Sequence, residues 1–354
     1  MKTNVVVSHN TEPQNLRASS AQKQQPVRQR LRRWALVAAA LTLLPAAWAQ
    51  AGASMEAHRH GRHSQPFSRI FVFGDSLSDD GNLFRLSGGY PPPPYFEGRF
   101  SNGLVWVEHL ARALGMAIAV GDDYAVGGAT TGSFNSNNGL NGRDYPGLEG
   151  QLANFGATRS VAEAEGALFT VWAGANDFFV AVQTGQAPAE LIANGVGNTV
   201  QAIQRLRQAG ARHIVVVNMP DLGLTPRALR ANAGAGLTQL STAHNQVLDA
   251  ALDSLASAGI PTIRVDAFAT LRQMVSQPAQ FGFTNVTDPL IQVGGNPAEF
   301  LFWDDVHPTT AGHAVFAEAA ADSLISYFSP RQGKGTPPAR IHALNGLVNA
   351  WDNN

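Results

Sequence analysis

The chain has no cysteine among its 354 residues. That one absence removes disulfides, thiolate metal sites, a cysteine nucleophile and thiol-linked lipid anchors. Charge is also sparse: 14% of the residues are Asp, Glu, Lys or Arg, against roughly a quarter in ordinary globular proteins. There is no basic excess, since 25 Lys and Arg face 26 Asp and Glu for a formal net charge of -1. A nucleic-acid binder would show such an excess. No internal repeat is visible, and no apolar run reaches the ~20 residues of a comfortable membrane span. What is present is a 44% hydrophobic fraction, which excludes a mostly disordered chain. Gly 35 and Pro 20 imply many loops. The length suggests one or two domains.

The two ends differ from the middle. Residues 1–33 carry Lys2, Arg17, Lys23, Arg28, Arg30, Arg32 and Arg33 against one acid, Glu12. An apolar run over 34–44 follows, stops at Pro45 and leads into Ala47, Trp48 and Ala49. A basic region, an apolar core and a small-x-small site in that order predict a signal peptide over 1–49, cleaved after Ala49, and hence export. A short N-terminal anchor is the competing reading, and the Arg32-Arg33 pair is a weak hint of twin-arginine export. Cleavage would remove seven bases and one acid, leaving 18 against 25 and a net charge of about -7. Such a protein has no electrostatic pull towards anionic membranes, so contact with a lipid surface would have to come from apolar loops. Residues 50–66 form a polar leader. His58, His60 and His63 in it are solvated lead-in rather than a metal site, which needs ligands in fixed geometry. Residues 330–354 start as a Pro- and Gly-containing linker. Ile341, Leu344, Val348 and Trp351 then recur at helical spacing and predict one short terminal helix.

The remaining stretch, 67–329, alternates between two patterns. Short apolar runs at 70–73, 167–172, 213–217 and 262–265 predict buried strands, with a weaker candidate at 116–120. Stretches at 104–114, 189–208, 237–258 and 308–328 have helical spacing, and Pro308 suits a helix start. Strands alternating with helices mean an α/β fold with a largely parallel sheet of about five strands, covered on both faces. Sites in such sheets form beyond the carboxyl ends of the strands. Residues 88–99 and 131–147 read as long loops, either functional covers or mobile surface.

Four segments carry chemistry. After the first strand comes Gly74-Asp75-Ser76-Leu77, followed by Asp79 and Asn82. A serine just past a strand end is exposed at the sheet's reactive edge. A helix starting there would aim its N–H groups at whatever Ser76 attacks, although Asp75 and Ser76 could equally cap that helix. Near the other end lies Asp304-Asp305-Val306-His307-Pro308. A hydroxyl needs a base to become a nucleophile, and His307 is suited to that near neutral pH. Its ring needs an acceptor on the second nitrogen, from Asp304 or, as a competitor, Asp305. Gly127-Gly128 and the Asn176 amide, after Gly174, offer donors for a developing oxyanion. Each also has a plain reading, as a turn or a helix cap. No Gly-x-Ser-x-Gly occurs, which argues against an α/β-hydrolase elbow.

A Gly-Asp-Ser-Leu, a Gly-Gly-Ala, a Gly-x-Asn-Asp and an Asp-x-x-His-Pro, in this order, resemble the GDSL family of SGNH hydrolases. Residues 124–129 and 218–226 resemble its secreted bacterial esterase and lipase branch, which includes phospholipases and haemolysin-like enzymes. The resemblance covers about residues 69–328 and implies a flavodoxin-like three-layer α/β/α fold. It assigns a Ser76–His307–Asp304 triad, with Ser76, Gly128 and Asn176 as the oxyanion hole, and no metal or organic cofactor. It departs at Asp123, where asparagine is common. The implied substrate is a small-molecule or lipid acyl ester. Transfer of the acyl group to an alcohol or sterol, polysaccharide deacetylation and a non-catalytic binding role are alternatives. Phe84, Tyr90, Tyr95, Phe96 and Phe134 are aromatic candidates for lining the site.

Overall fold

The computed structural model describes residues 67–329. The expected signal segment, the polar leader with its three histidines and the terminal helix all lie outside these residues. Among the described residues there are four strands, β1 Ile70–Gly74, β2 Leu168–Trp172, β3 His213–Val217 and β4 Ile263–Val265. The α-helices, in chain order, are α1 Asn82–Ser87, α2 Trp106–Ala113, α3 Leu148–Thr158, α4 Val161–Ala164, α5 Ala175–Thr184 and α6 Pro188–Gln208. They continue as α7 Pro226–Arg230, α8 Gly234–Ser257, α9 Ala267–Ser276, α10 Leu290–Val293 and α11 Thr310–Phe328.

The strands pair in parallel in the order β1-β2-β3-β4. Their near-continuous apolar sequences follow from burial on both faces. Ile70 and Val72 of β1 pack with Trp106 and Leu110 of α2 and Phe316 and Leu324 of α11. Phe71 and Phe73 point the other way, towards Leu148 and Phe155 of α3, Val196 and Ile203 of α6 and Leu248 of α8. Side chains alternate across a strand, so one sequence feeds two cores and the result is three layers, helix, sheet, helix.

The fifth strand falls elsewhere than the sequence suggests. Residues 116–120 form no strand, and Val120 is 104% exposed. Pairing with β1 comes instead from 122–126, where Val72 N–H donates to the Asp122 carbonyl at 3.0 Å and Tyr124 N–H to the Val72 carbonyl at 2.8 Å. Only Val72 and Asp123 form a bridge, in parallel. Asp122 can be buried at this edge because Arg69 and Arg159 both face its carboxylate, at 3.3 and 2.8 Å. After β1 the chain thus goes to one side for 122–126 and then to the other for β2. That reversal is the switch point at which open α/β sheets form a crevice.

Two further boundaries differ. No helix starts at Ser76. Residues 76–78 form a turn, with Ser78 and Asp79 N–H groups donating to the Asp75 carbonyl at 3.0 Å each, and α1 begins at Asn82. The last helix begins at Thr310 and not at Pro308. Pro308 is bridged to Phe302, and Thr309 caps the helix by accepting from Gly312 N–H.

Candidate active site

Gly74 ends β1 so close to β2 that a Cβ would lie 2.2 Å from the Trp172 carbonyl oxygen, and its φ is +152°. Only glycine fits. Gln151 of α3 holds this peptide from both sides, accepting from Gly74 N–H at 3.0 Å and donating to its carbonyl at 2.8 Å. The turn beyond is tied by Asp75 Oδ1, which accepts Leu77 N–H at 3.0 Å, and by Ser78 Oγ, which accepts the Trp106 indole N–H at 3.0 Å. Asp79 accepts from Gly81, Asn82, Leu83 and Gly127 N–H groups, and Asn82 donates to the Asp123 and Ala125 carbonyls. The two are occupied in joining the turn to the 122–127 segment. Burial pushes the Asp79 carboxyl up to about 6 against these N–H donors. Burial likewise pushes Asp75 up to about 7, against the pull of Leu77 N–H and His307.

Rigid anchoring places the Ser76 hydroxyl 2.7 Å from His307 Nε2. His307 reaches it from a tight loop in which Trp303 N–H donates to the His307 carbonyl at 2.8 Å. Asp304 Oδ1 closes that loop by accepting Val306 and His307 N–H at 2.9 and 2.8 Å, an aspartate turn. Its Oδ2 lies 2.7 Å from His307 Nδ1. Burial would raise the Asp304 carboxyl, but His307 and the two backbone N–H groups outweigh it and hold it at about 2. Asp305, the competing orienter, faces away: Arg230 pairs with its carboxylate and Gln292 donates to it at 2.8 Å.

One partner was not legible in sequence. Tyr95, 209 residues away, donates its hydroxyl to Asp304 Oδ2 at 2.9 Å. Burial and this anion raise the phenol above its ordinary value, so it stays a donor. Its ring stands edge-on to Trp303 and Phe100, and Phe100 in turn lies 5.0 Å from the His307 ring.

The two glycines after Val126 have different tasks. The Gly127 N–H is taken by Asp79 Oδ2 at 2.7 Å, and a Cβ there would strike Phe100. The Gly127 carbonyl accepts side-chain amides from Asn135 and Asn137 at 3.1 and 2.9 Å. In a planar trans peptide the next N–H points opposite to that carbonyl. The Gly128 N–H is therefore fixed facing away from both asparagines, and it makes no hydrogen bond among the described residues. Gly128 has φ +81°, and a Cβ would lie 2.2 Å from Asn137 Nδ2. Asn176, in the first turn of α5, spends one amide hydrogen on the Ala129 carbonyl at 3.0 Å and keeps the other. Asp177 fastens α5 to the same strip by accepting from Thr131 N–H and hydroxyl at 2.9 and 2.6 Å.

Ser76, Gly128, Asn176 and His307 line one cavity of about 250 Å³. Its inner wall is apolar and buried, with Leu77, Trp172, Leu271, Phe302 and Phe316. Of the five aromatics expected to line the site, only Tyr90 does so; Phe100, Trp172 and Phe179 line it as well. Phe96 and Phe134 are exposed. Chemically, the arrangement can pass a proton from a hydroxyl to an imidazole while a carboxylate steadies the resulting charge.

A protein-family model described as GDSL-like Lipase/Acylhydrolase matches residues 70–320. The phosphatidylcholine-sterol acyltransferase of Aeromonas hydrophila is 30% identical over 323 residues, covering 74% of this chain and 91% of that protein. The thermolabile hemolysin of Vibrio parahaemolyticus is 27% identical over 286 residues, covering 72% of this chain and 63% of that protein. Among solved structures, a lipolytic G-D-S-L family member from Veillonella parvula aligns over 72% of this chain and 96% of its own. Its sequence identity is 17% and its TM-score 0.40. On the breadth of the family match, the chain belongs to the GDSL-like lipase/acylhydrolase family of ester-bond hydrolases.

Proposed function

We propose that the chain is a secreted serine esterase or lipase that cleaves carboxylic esters through an acyl-enzyme. The observation that carries this reading is the unbroken line from Ser76 Oγ through His307 to Asp304, with both contacts at 2.7 Å. His307 Nε2 takes the hydroxyl proton as Ser76 attacks the ester carbonyl. Asp304 holds the Nδ1–H tautomer and balances the imidazolium. The N–H groups of Ser76 and Gly128 and the free amide hydrogen of Asn176 receive the oxyanion. Donors of this kind contribute about 3 kcal/mol each. His307 returns the proton to the leaving alcohol, then activates water to release the acid. No step draws on a metal. The basic-then-apolar order of residues 1–49 supports export.

The test uses protein recovered from the culture medium. It should begin after Ala49 and hydrolyse p-nitrophenyl butyrate at a rate unchanged by EDTA. A chain retaining Met1, or activity lost on chelation and restored by metal, would contradict the proposal. The same intermediate can pass its acyl group to an alcohol, a reading favoured by the similarity to an acyltransferase. Butyl butyrate formed on addition of butanol would show it.

Tyr95 acts as a positioning residue in this scheme. Tyr95→Phe keeps the ring but removes one donor from the Asp304 carboxylate. That carboxylate then keeps the His307 ring and two backbone N–H groups as its partners, and loses one of the contacts that steady it. The value of kcat should fall roughly threefold to tenfold, the scale of one net hydrogen bond, with KM little changed. An unchanged kcat would reduce Tyr95 to packing.

A further inference from the structure

Gly128 sits in a turn that has two forms open to it. Ala129 N–H donates to the Val126 carbonyl at 3.0 Å, so residues 126–129 close a β-turn whose two central positions are both glycine. Gly128, at the third position, has φ +81°, and the φ of Gly127 is not positive. These signs belong to a type II turn. A type I turn keeps the same closing hydrogen bond but has its central peptide rotated by about half a turn. Glycine enters either form at little steric cost. Rotation of the Gly127–Gly128 peptide would carry the Gly128 N–H away from the cavity. The Gly127 carbonyl would take its place and repel an oxyanion.

The loop over 131–147 selects between the two forms. It returns along the exit of the turn, where Thr130 N–H donates to the Phe134 carbonyl at 3.1 Å and Ser136 N–H to the Gly128 carbonyl at 2.8 Å. That pairing brings Asn135 and Asn137 against Gly127. Asn135 is buried, and its Oδ1 accepts Asn137 N–H at 2.8 Å. Its amide nitrogen must therefore face the Gly127 and Pro146 carbonyls, at 3.1 Å each. Asn137 donates to the same Gly127 oxygen at 2.9 Å. In the type II form one carbonyl thus takes two amide hydrogens. In the rotated form both amides would face an N–H, donor against donor. The two bonds also polarise the peptide, which strengthens its own N–H as a donor.

We propose that Asn135 and Asn137 are positioning residues that hold the Gly127–Gly128 peptide with its N–H turned into the site. This rests on the Ser76 reading above and adds what keeps its oxyanion donor in place. The rate scales with the fraction of molecules in that form. Asn137→Asp turns a donor into an acceptor: the new carboxylate repels the Gly127 carbonyl and attracts the Gly128 N–H. With p-nitrophenyl butyrate its kcat should fall about a hundredfold, as on removal of one oxyanion donor, with KM little changed. Asn137→Ala removes the donor without adding an acceptor and should lose less than about tenfold, the scale of one net hydrogen bond. Asn138→Asp brings the same charge one residue on, where the side-chain oxygen only accepts Tyr145 N–H at 2.7 Å. It should behave as wild type. Butylboronic acid gives a second readout. Ser76 Oγ adds to boron, its proton passes to His307, and the tetrahedral anion presents an oxygen to the same donors. Its inhibition constant should rise by the factor lost from kcat. A loss in Asn137→Asp no larger than in Asn137→Ala or Asn138→Asp, a loss carried by KM, or an unchanged inhibition constant would overturn the proposal. If Asn137→Asp fails to fold, Asn137→Ala decides: a raised inhibition constant supports the proposal and a wild-type one overturns it. A wild type that neither cleaves the ester nor binds the boronic acid would contradict the Ser76 reading instead.

Discussion

Ser76→Ala should lower kcat for p-nitrophenyl butyrate by about ten-thousandfold or more, with the fold intact. The size follows from the geometry. In the proposed mechanism the hydroxyl is the atom that bonds to the substrate, and the turn offers no second nucleophile: the Asp75 carboxylate is tied to Leu77 N–H, and the Ser78 hydroxyl faces the Trp106 indole. What should survive is the rate supplied by the proposed oxyanion donors at Gly128 and Asn176, whose role does not depend on what attacks. Triads of this kind act as a unit, so the losses do not add. Ser76→Ala, His307→Ala and the double variant should therefore be about equally inactive. Among the described residues the hydroxyl's protein partner is His307 alone, and its removal should shift the thermal midpoint by only a few degrees. Retention of a tenth of wild-type activity in Ser76→Ala, or a double variant far worse than either single one, would mean that the two residues do not share one reaction.

The second large effect is expected at Asp304. Asp304→Asn should reduce kcat about a thousandfold to ten-thousandfold, although it changes one atom. Oδ1 is claimed by the Val306 and His307 N–H groups. An asparagine must keep its oxygen there, which turns its NH2 towards His307 Nδ1. Two donors cannot face each other, so the ring adopts the tautomer with hydrogen on Nε2 and can no longer accept from Ser76. Because the wild-type carboxyl is held at about 2, it stays ionised across the working range. The acid limb of the rate profile should therefore not be that of Asp304. Its contacts with His307 and the two backbone N–H groups stabilise the fold above the ordinary carboxyl value and are weakened only as pH falls towards 2. Asp305→Asn is the control, since Asp305 serves Arg230 and Gln292 on the outer side. Equal losses at 304 and 305 would mean general damage to the loop, and a loss under tenfold at 304 would remove it from the mechanism.

Much of this arrangement is legible in the sequence because local chemistry dictates it. A strand that ends in Gly74 must turn, and the residue two places on stands at the sheet edge. Asp304 and His307 meet because an aspartate three residues before a histidine can close a turn through backbone N–H groups. The four apolar runs became strands because burial on both faces needs continuous apolar sequence. What was not legible depends on distant partners. Nothing local separates 116–120, an apolar run that forms no strand although Met116 joins the core, from 122–126, which pairs with β1 because Arg69 and Arg159 meet Asp122. Nothing near Tyr95 points to Asp304, and nothing near Asn135 and Asn137 says that they fix the Gly127 peptide. Gly127 and Gly128 look alike in sequence. Only the occupied N–H of the first separates their roles.

The most direct test of the central claim is covalent. The protein is treated with a fluorophosphonate ester until inactive, digested, and its peptides are mapped by mass spectrometry. The account predicts one adduct per chain, on Ser76, with no adduct in a His307→Ala variant over the same time. An adduct on another residue, or full inactivation with Ser76 unmodified, would contradict it.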